Sequence, residues 1–124
     1  MNTQQLVRAT LIGTILQIAM VVAGHWVPAV QGAFMFGGLG LSFIAGAIYE
    51  LRARGSWGGA AAGGIIAGGV SALAGIAVSW LLGDVPASLL LLGTSGSAVT
   101  GLLGSVAARV LRPKPATRGV AGHP

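Results

Sequence analysis

The stretch AGHWVPAV, residues 23–30, is the one place where the first long apolar run of this chain can turn. From Ala9 to Tyr49 there is no Asp, Glu, Lys or Arg. That is about 40 residues, twice what one helix needs to cross a bilayer. The run therefore breaks once, at Gly24-His25-Trp26-Val27-Pro28. Proline suits the first turn of a helix, where its missing N–H would have had no partner. Span 1 is expected over about 7–25 and span 2 over about 28–49.

Residues 50–57 are polar enough to form a loop. A second run, Gly58 to Ala108, holds one charge, Asp84. Gly83-Asp84-Val85-Pro86 repeats the pattern of a turn followed by a proline. Span 3 is expected over about 58–82 and span 4 over about 86–110. Residues 1–111 then form one four-span transmembrane domain. The basic tail, 112–124, has three prolines and almost nothing to bury, so it is expected to be disordered.

The composition excludes an ordinary soluble domain, which is about 25% charged. This chain is 7% charged and 54% hydrophobic. Its 22 glycines lie inside apolar runs, where lipid-embedded helices use them. There is no cysteine, which removes disulfides and thiolate metal sites. The net charge of +5 is not a nucleic-acid patch, because the cations flank the apolar runs as a topology signal does. The expected partner is the lipid bilayer, and no nucleic acid.

With four spans, all seven basic residues fall on one side: Arg8, Arg52, Arg54, Arg109, Arg112, Lys114 and Arg118. The two opposite turns have none. The positive-inside rule then puts both termini in the cytoplasm of a multi-pass protein of the inner membrane. Trp26 and Trp80 would mark the outer interface, and Tyr49 and Trp57 the inner one. A cleaved signal peptide in place of span 1 would leave an odd number of spans and put Arg52 and Arg54 on the wrong side.

The expected fold is thus an all-α integral membrane protein, a four-helix bundle of two consecutive helical hairpins. The hairpins resemble each other. Val27-Pro28-Ala29 recurs as Val85-Pro86-Ala87, and that offset of 58 residues pairs Gly38 with Gly96, Ser42 with Thr100, Gly46 with Gly104 and Arg54 with Arg112. A parallel internal repeat about the membrane normal would produce this, as would Gly-rich composition alone.

Helices in lipid associate through close backbone approach, which needs small residues on one face. Gly93, Ser97, Gly101 and Ser105 recur every fourth residue in span 4, with Gly104 beside them. Span 3 carries Gly64 and Gly68, and span 2 carries Gly38 and Gly46. Small residues on more than one face leave room for a further helix, so the glycine-zipper pattern predicts a homo-oligomer or packing against another membrane protein.

Five polar residues are candidates for function. Gln17 lies deep in span 1 and would seek a partner such as Ser71 or Thr100; it serves as structural glue or lines a polar path. His25 ends span 1, as an interfacial residue beside Trp26 or as a titrating group. Asp84 is expected to cap span 4, or to form an entry site. Glu50 is placed to pair with Arg54 at i,i+4, with Arg109 as the alternative. Two ligands such as His25 and Asp84 do not make a metal site, and no cofactor motif is present.

No nucleophile–base pair or paired carboxylates occur, so an enzyme is not expected. Span 1 lacks the embedded glutamate of small multidrug transporters, and the chain lacks the Thr-Phe-Ser-Thr-type stretch of fluoride channels. The leading expectation is a small non-enzymatic inner-membrane protein that self-associates or joins a larger membrane complex. The alternative is a small oligomeric channel or transporter for an ion or small solute, with Gln17, Ser71, Ser97 and Thr100 along the path. Phage-type hole formation ranks third.

Overall fold

The computed structural model describes residues 2–53 and 56–111, and every regular element in them is helical. Arg54 and the tail from 112 to 124, with Arg112, Lys114 and Arg118, lie outside the described residues. The helices are α1 (Thr3–Trp26), α2 (Pro28–Gly32), α3 (Phe34–Ala53), α4 (Trp57–Leu81) and α5 (Ser88–Leu111). Three of them, α1, α4 and α5, are long and apolar enough to cross a membrane, consistent with a membrane protein.

Each boundary has a local cause. Asn2 caps α1 by accepting from the Gln5 N–H, and Ser56 caps α4 by accepting from the Gly59 N–H. At Val27 the backbone becomes extended and α1 stops. Pro28 then opens α2, as a proline at a helix start should. The expected second span is divided, because α2 ends at Gly32. Nothing lies within 4 Å of where a Gly32 Cβ would be. Gly83 ends α4 with φ +81, a left-handed conformation suited to glycine. Its N–H reaches Trp80 O and that of Asp84 reaches Ser79 O, which closes a Schellman turn.

The packing inverts the soluble-protein rule. The buried hydrophobic residues are Val21, Tyr49 and six alanines, whereas Leu, Ile, Val, Phe and Trp side chains cover the outside. The inward stripe of α1 is Ala9, Gly13, Gln17, Val21 and Gly24. An apolar exterior of this extent suits lipid as its solvent.

The long helices are arranged in the ring α1–α3–α5–α4, with α3 also packed on α4. Residue pairs give the directions. Asn2 meets Tyr49 and Gln17 meets Gly38, so α1 and α3 are antiparallel. Ala60 meets Ser105 and Gly68 approaches Ser97, so α4 and α5 are antiparallel. Gly13 lies against Ser71 and Gln17 against Gly75, so α1 and α4 are parallel.

At the crossing of α3, α4 and α5, backbone touches backbone. A Cβ on Gly46 would strike Gly101 O, one on Gly101 would strike Gly64 O, and one on Gly104 would strike Phe43 O. The α3–α5 contact is reciprocal under the offset of 58: Gly46 maps to Gly104 and Phe43 to Gly101. The reciprocity does not extend outward. A twofold exchanging α1 with α4 and α3 with α5 would make the α1–α5 contact equal to the α3–α4 contact. Among the described residues α1 and α5 do not touch, whereas α3 and α4 do.

Candidate functional site

Where α1 and α5 do not touch, the long helices leave a half-open cavity of about 410 Å³. All four long helices line it. Gln17 and Val21 come from α1, Gly38 and Leu39 from α3, Ile76 and Ser79 from α4, and Leu89, Gly96 and Ser97 from α5. It lies between the glycine crossing and the turns that follow α1 and α4, where Val85 reaches it. Its rim includes Leu92, whose side chain is 68% exposed.

A hydrogen-bonded polar chain runs from Gln17 and Gly38 on the cavity wall into the packed part of the bundle. Gln17 Nε2 donates to Gly38 O at 3.0 Å and to Ser42 Oγ at 3.2 Å. The Ser42 hydroxyl donates to Gly68 O at 3.3 Å, and the Ser71 hydroxyl donates to the same oxygen at 3.1 Å. These bonds tie α1 to α3 and α3 to α4. Gln17 does find a partner across helices, but on α3, not at Ser71 or Thr100. Both of those hydroxyls turn back to their own helix, Thr100 Oγ1 donating to Gly96 O at 2.8 Å. A Ser or Thr in a helix commonly does this, since a carbonyl one turn back is always in reach. Of the four residues expected along a polar path, Gln17 and Ser97 line the cavity, and Ser71 and Thr100 do not.

Beyond the cavity, at the end where α1 stops, His25 Nδ1 lies 2.9 Å from Asp84 Oδ2. The two expected residues of the equivalent turns therefore meet. His25 also sets its ring edge-on to Trp26, with centroids 5.1 Å apart. Asp84 does not cap α5. That helix begins at Ser88, and Asp84 belongs to the turn that closes α4.

At the opposite end, Arg109 Nη1 donates to Glu50 Oε2 at 3.2 Å. The Glu50 side chain is 0% exposed, and the Arg109 guanidinium stands 4.6 Å over the Trp57 ring. Glu50 thus pairs between helices rather than only along its own, and Arg54 lies outside the described residues. Tyr49 is not at a surface. It is 1% exposed, its ring fills the space over Gly63, and its hydroxyl accepts from the Asn2 N–H. Trp26, Trp57 and Trp80 are exposed.

The expected packing glycines are used inside the chain. Gly64, Gly68, Gly101, Gly46 and Gly104 form the crossing, and Ser97 faces Gly68. Gly93 lies against Ile76, and Gly38 stands near Gln17 and Met20 at ordinary contact distance. The sequence reading missed Ser42 as the partner of Gln17, and it missed Ser79. The Ser79 hydroxyl is buried without a hydrogen-bond partner among the described residues, on the cavity wall. A signal for Ser79 existed: it lies eight residues, two helical turns, after Ser71 on the small-residue face of α4. Comparison with protein-family models, with curated proteins and with solved structures found no match.

Proposed function

We propose that this chain is a four-span protein of the cytoplasmic membrane, with both termini in the cytoplasm, whose work is to hold a small solute in its cavity. The observation that carries this reading is the cavity itself, walled by all four long helices and furnished with Gln17, Ser79 and Ser97. Pockets for small molecules have this character: mostly apolar, with a few placed polar groups. The role is non-enzymatic binding or transport. No charged side chain among the described residues lines the cavity, so a neutral solute fits it better than an ion, whose burial is costly.

The orientation is supported by Arg8, Arg52 and Arg109 lying toward one end of the bundle, with no Lys or Arg at the His25–Asp84 end among the described residues. The fourth span is α3 with its 20 residues. The chain has no cysteine, so single cysteines report topology cleanly. Asn2→Cys and Ala87→Cys should label from opposite sides of the membrane.

Assembly with further copies or with a larger complex is the second reading. Gly40 favours it, as an exposed glycine on α3 with nothing within 4 Å of its Cβ position. The other glycine faces support it less, being covered within the chain.

The test is the melting temperature of the purified protein against a set of small neutral apolar solutes. A bound solute raises the melting temperature by mass action. Gly96→Leu is the control, because a Cβ at Gly96 meets only Leu39 Cδ2 at 3.7 Å and the added side chain enters the cavity. Solutes that raise the melting temperature of wild type but not of Gly96→Leu support the proposal. Equal responses in both proteins would return the assembly reading to first place.

A further inference from the structure

The orientation of one buried amide carries a more specific conclusion. Gly38 O can only accept, so it must face the Gln17 amide nitrogen. The Ser42 hydroxyl proton goes to Gly68 O, which leaves the Ser42 oxygen to accept from the second Gln17 N–H. Both amide hydrogens are then used, and the side chain cannot be flipped without opposing two acceptors at Gly38. The remaining atom, Gln17 Oε1, accepts from no donor among the described residues. Gln17 is buried, on the cavity wall.

We propose that the cavity recognises a neutral, mostly apolar molecule bearing one N–H or O–H donor, and that Gln17 Oε1 accepts that donor. The inference rests on the solute-binding reading above and names its solute class. Three features define the class. Val21, Leu39, Ile76 and Leu89 supply apolar walls, so most of the molecule is hydrocarbon or aromatic ring. Among the described residues no Lys, Arg, His, Asp or Glu lines the cavity, so an ionised group would be desolvated without a counter-charge. That removes an intact phospholipid headgroup. A volume of about 410 Å³ is toward the small end for ligand pockets and suits a single small ring system. The Ser79 hydroxyl is buried and without a hydrogen-bond partner among the described residues, but its oxygen has almost no surface open to the cavity, so it selects less. Gln17 Oε1 can only accept. A ligand without a donor leaves it unpaired, and sites built to hydrogen-bond discriminate most strongly against such analogues.

The test uses the full chain in nanodiscs and a matched pair of probes, 5-fluoroindole and 5-fluoro-1-methylindole, followed by fluorine NMR. The two have nearly the same apolar body, and only the first has an N–H. Empty nanodiscs correct for partition into lipid. Wild type should bind fluoroindole more tightly than its methylated analogue by about fivefold or more, the worth of one hydrogen bond. Gln17→Met should erase that preference, and Ser79→Ala should keep it. Gly96→Leu should weaken both probes together. Equal binding of the two probes to wild type, blocked by Gly96→Leu, would overturn the Gln17 assignment and leave the cavity reading standing. A preference lost in Ser79→Ala and kept in Gln17→Met would also overturn it. If neither probe binds wild type above empty nanodiscs, both the assignment and the solute-binding reading fall. The wild-type comparison needs no variant, so a poorly folded Gln17→Met does not blunt the test.

Discussion

Gly101→Ala and Gly96→Ala make the same chemical change on one helix, five residues apart, and only the first should destabilise the protein. Alanine is the better helix former by about 0.8–1.0 kcal/mol, so each substitution starts with that gain. At Gly96 little opposes it, since the new methyl group would meet only Leu39 Cδ2 at 3.7 Å. At Gly101 the methyl group would strike Gly64 O and stand 2.9 Å from Gly68 Cα. Those are backbone atoms and have no rotamer to change. Nor can α5 withdraw from α4, because Gly46 of α3 lies against the Gly101 carbonyl on another side. Overpacking costs about 1–3 kcal/mol, and contact with immovable neighbours on two helices puts this case at the upper end. The net expectation is a loss of about 2 kcal/mol for Gly101→Ala, roughly thirtyfold in the folded-to-unfolded ratio. Gly96→Ala should be neutral or up to about 1 kcal/mol more stable. Reversible unfolding in mixed micelles, followed by far-ultraviolet circular dichroism, measures both. Equal stability of the two variants, or a Gly101→Ala protein as stable as wild type, would refute the backbone-contact account of the crossing.

Arg109→Met leaves the fully buried Glu50 carboxylate without its guanidinium and should cost about 3 kcal/mol. Adding Glu50→Gln should recover part of that loss in the same unfolding assay. Gln17→Leu removes the bonds to Gly38 and Ser42 and should cost about 1 kcal/mol, the scale of interhelical hydrogen bonds in membrane proteins. Asp84→Asn should change stability by less than about 1 kcal/mol, since His25 is exposed at the surface. A larger loss would show the pair to be a main fastening of that end. Tyr49→Phe should cost about 1 kcal/mol through the bond from Asn2, measured as a lower unfolding midpoint.

The helical organisation was legible because charge and proline punctuate this chain sparsely. The turns near Val27 and Gly83 follow from local chemistry, and local chemistry is what a sequence displays. The division of α2 from α3 was not legible. Gly32, where α2 ends, looks in the sequence like the glycines that helices run through, Gly40 among them. The pairing of polar groups was legible only as a need. Gln17 plainly required a partner across helices, but Ser42, Ser71 and Thr100 are equivalent on paper. The choice among them depends on how far each helix is rotated, and only the assembled bundle sets that. Tyr49 misled because an aromatic beside a charged loop has the composition of an interface anchor. The glycine at 63 that makes room for its ring lies on another helix. The cavity had no signature at all, being defined by the two helices that fail to meet.

The way α3 is shared among its neighbours bears on how the protein is made. It has more contact with α5 than with α1, although α1 is the helix that precedes it. Early in synthesis the N-terminal hairpin would be held chiefly by the bonds of Gln17, with Gly46 uncovered and Glu50 without Arg109. Only when α5 leaves the ribosome do those groups find their partners. A chain truncated near Ser56 should therefore hold its first hairpin less firmly than the whole protein does, with Glu50 lacking Arg109 and Gly46 lacking the Gly101 backbone. Completion of the last helix is, in this chain, the step that finishes the packing of the first hairpin.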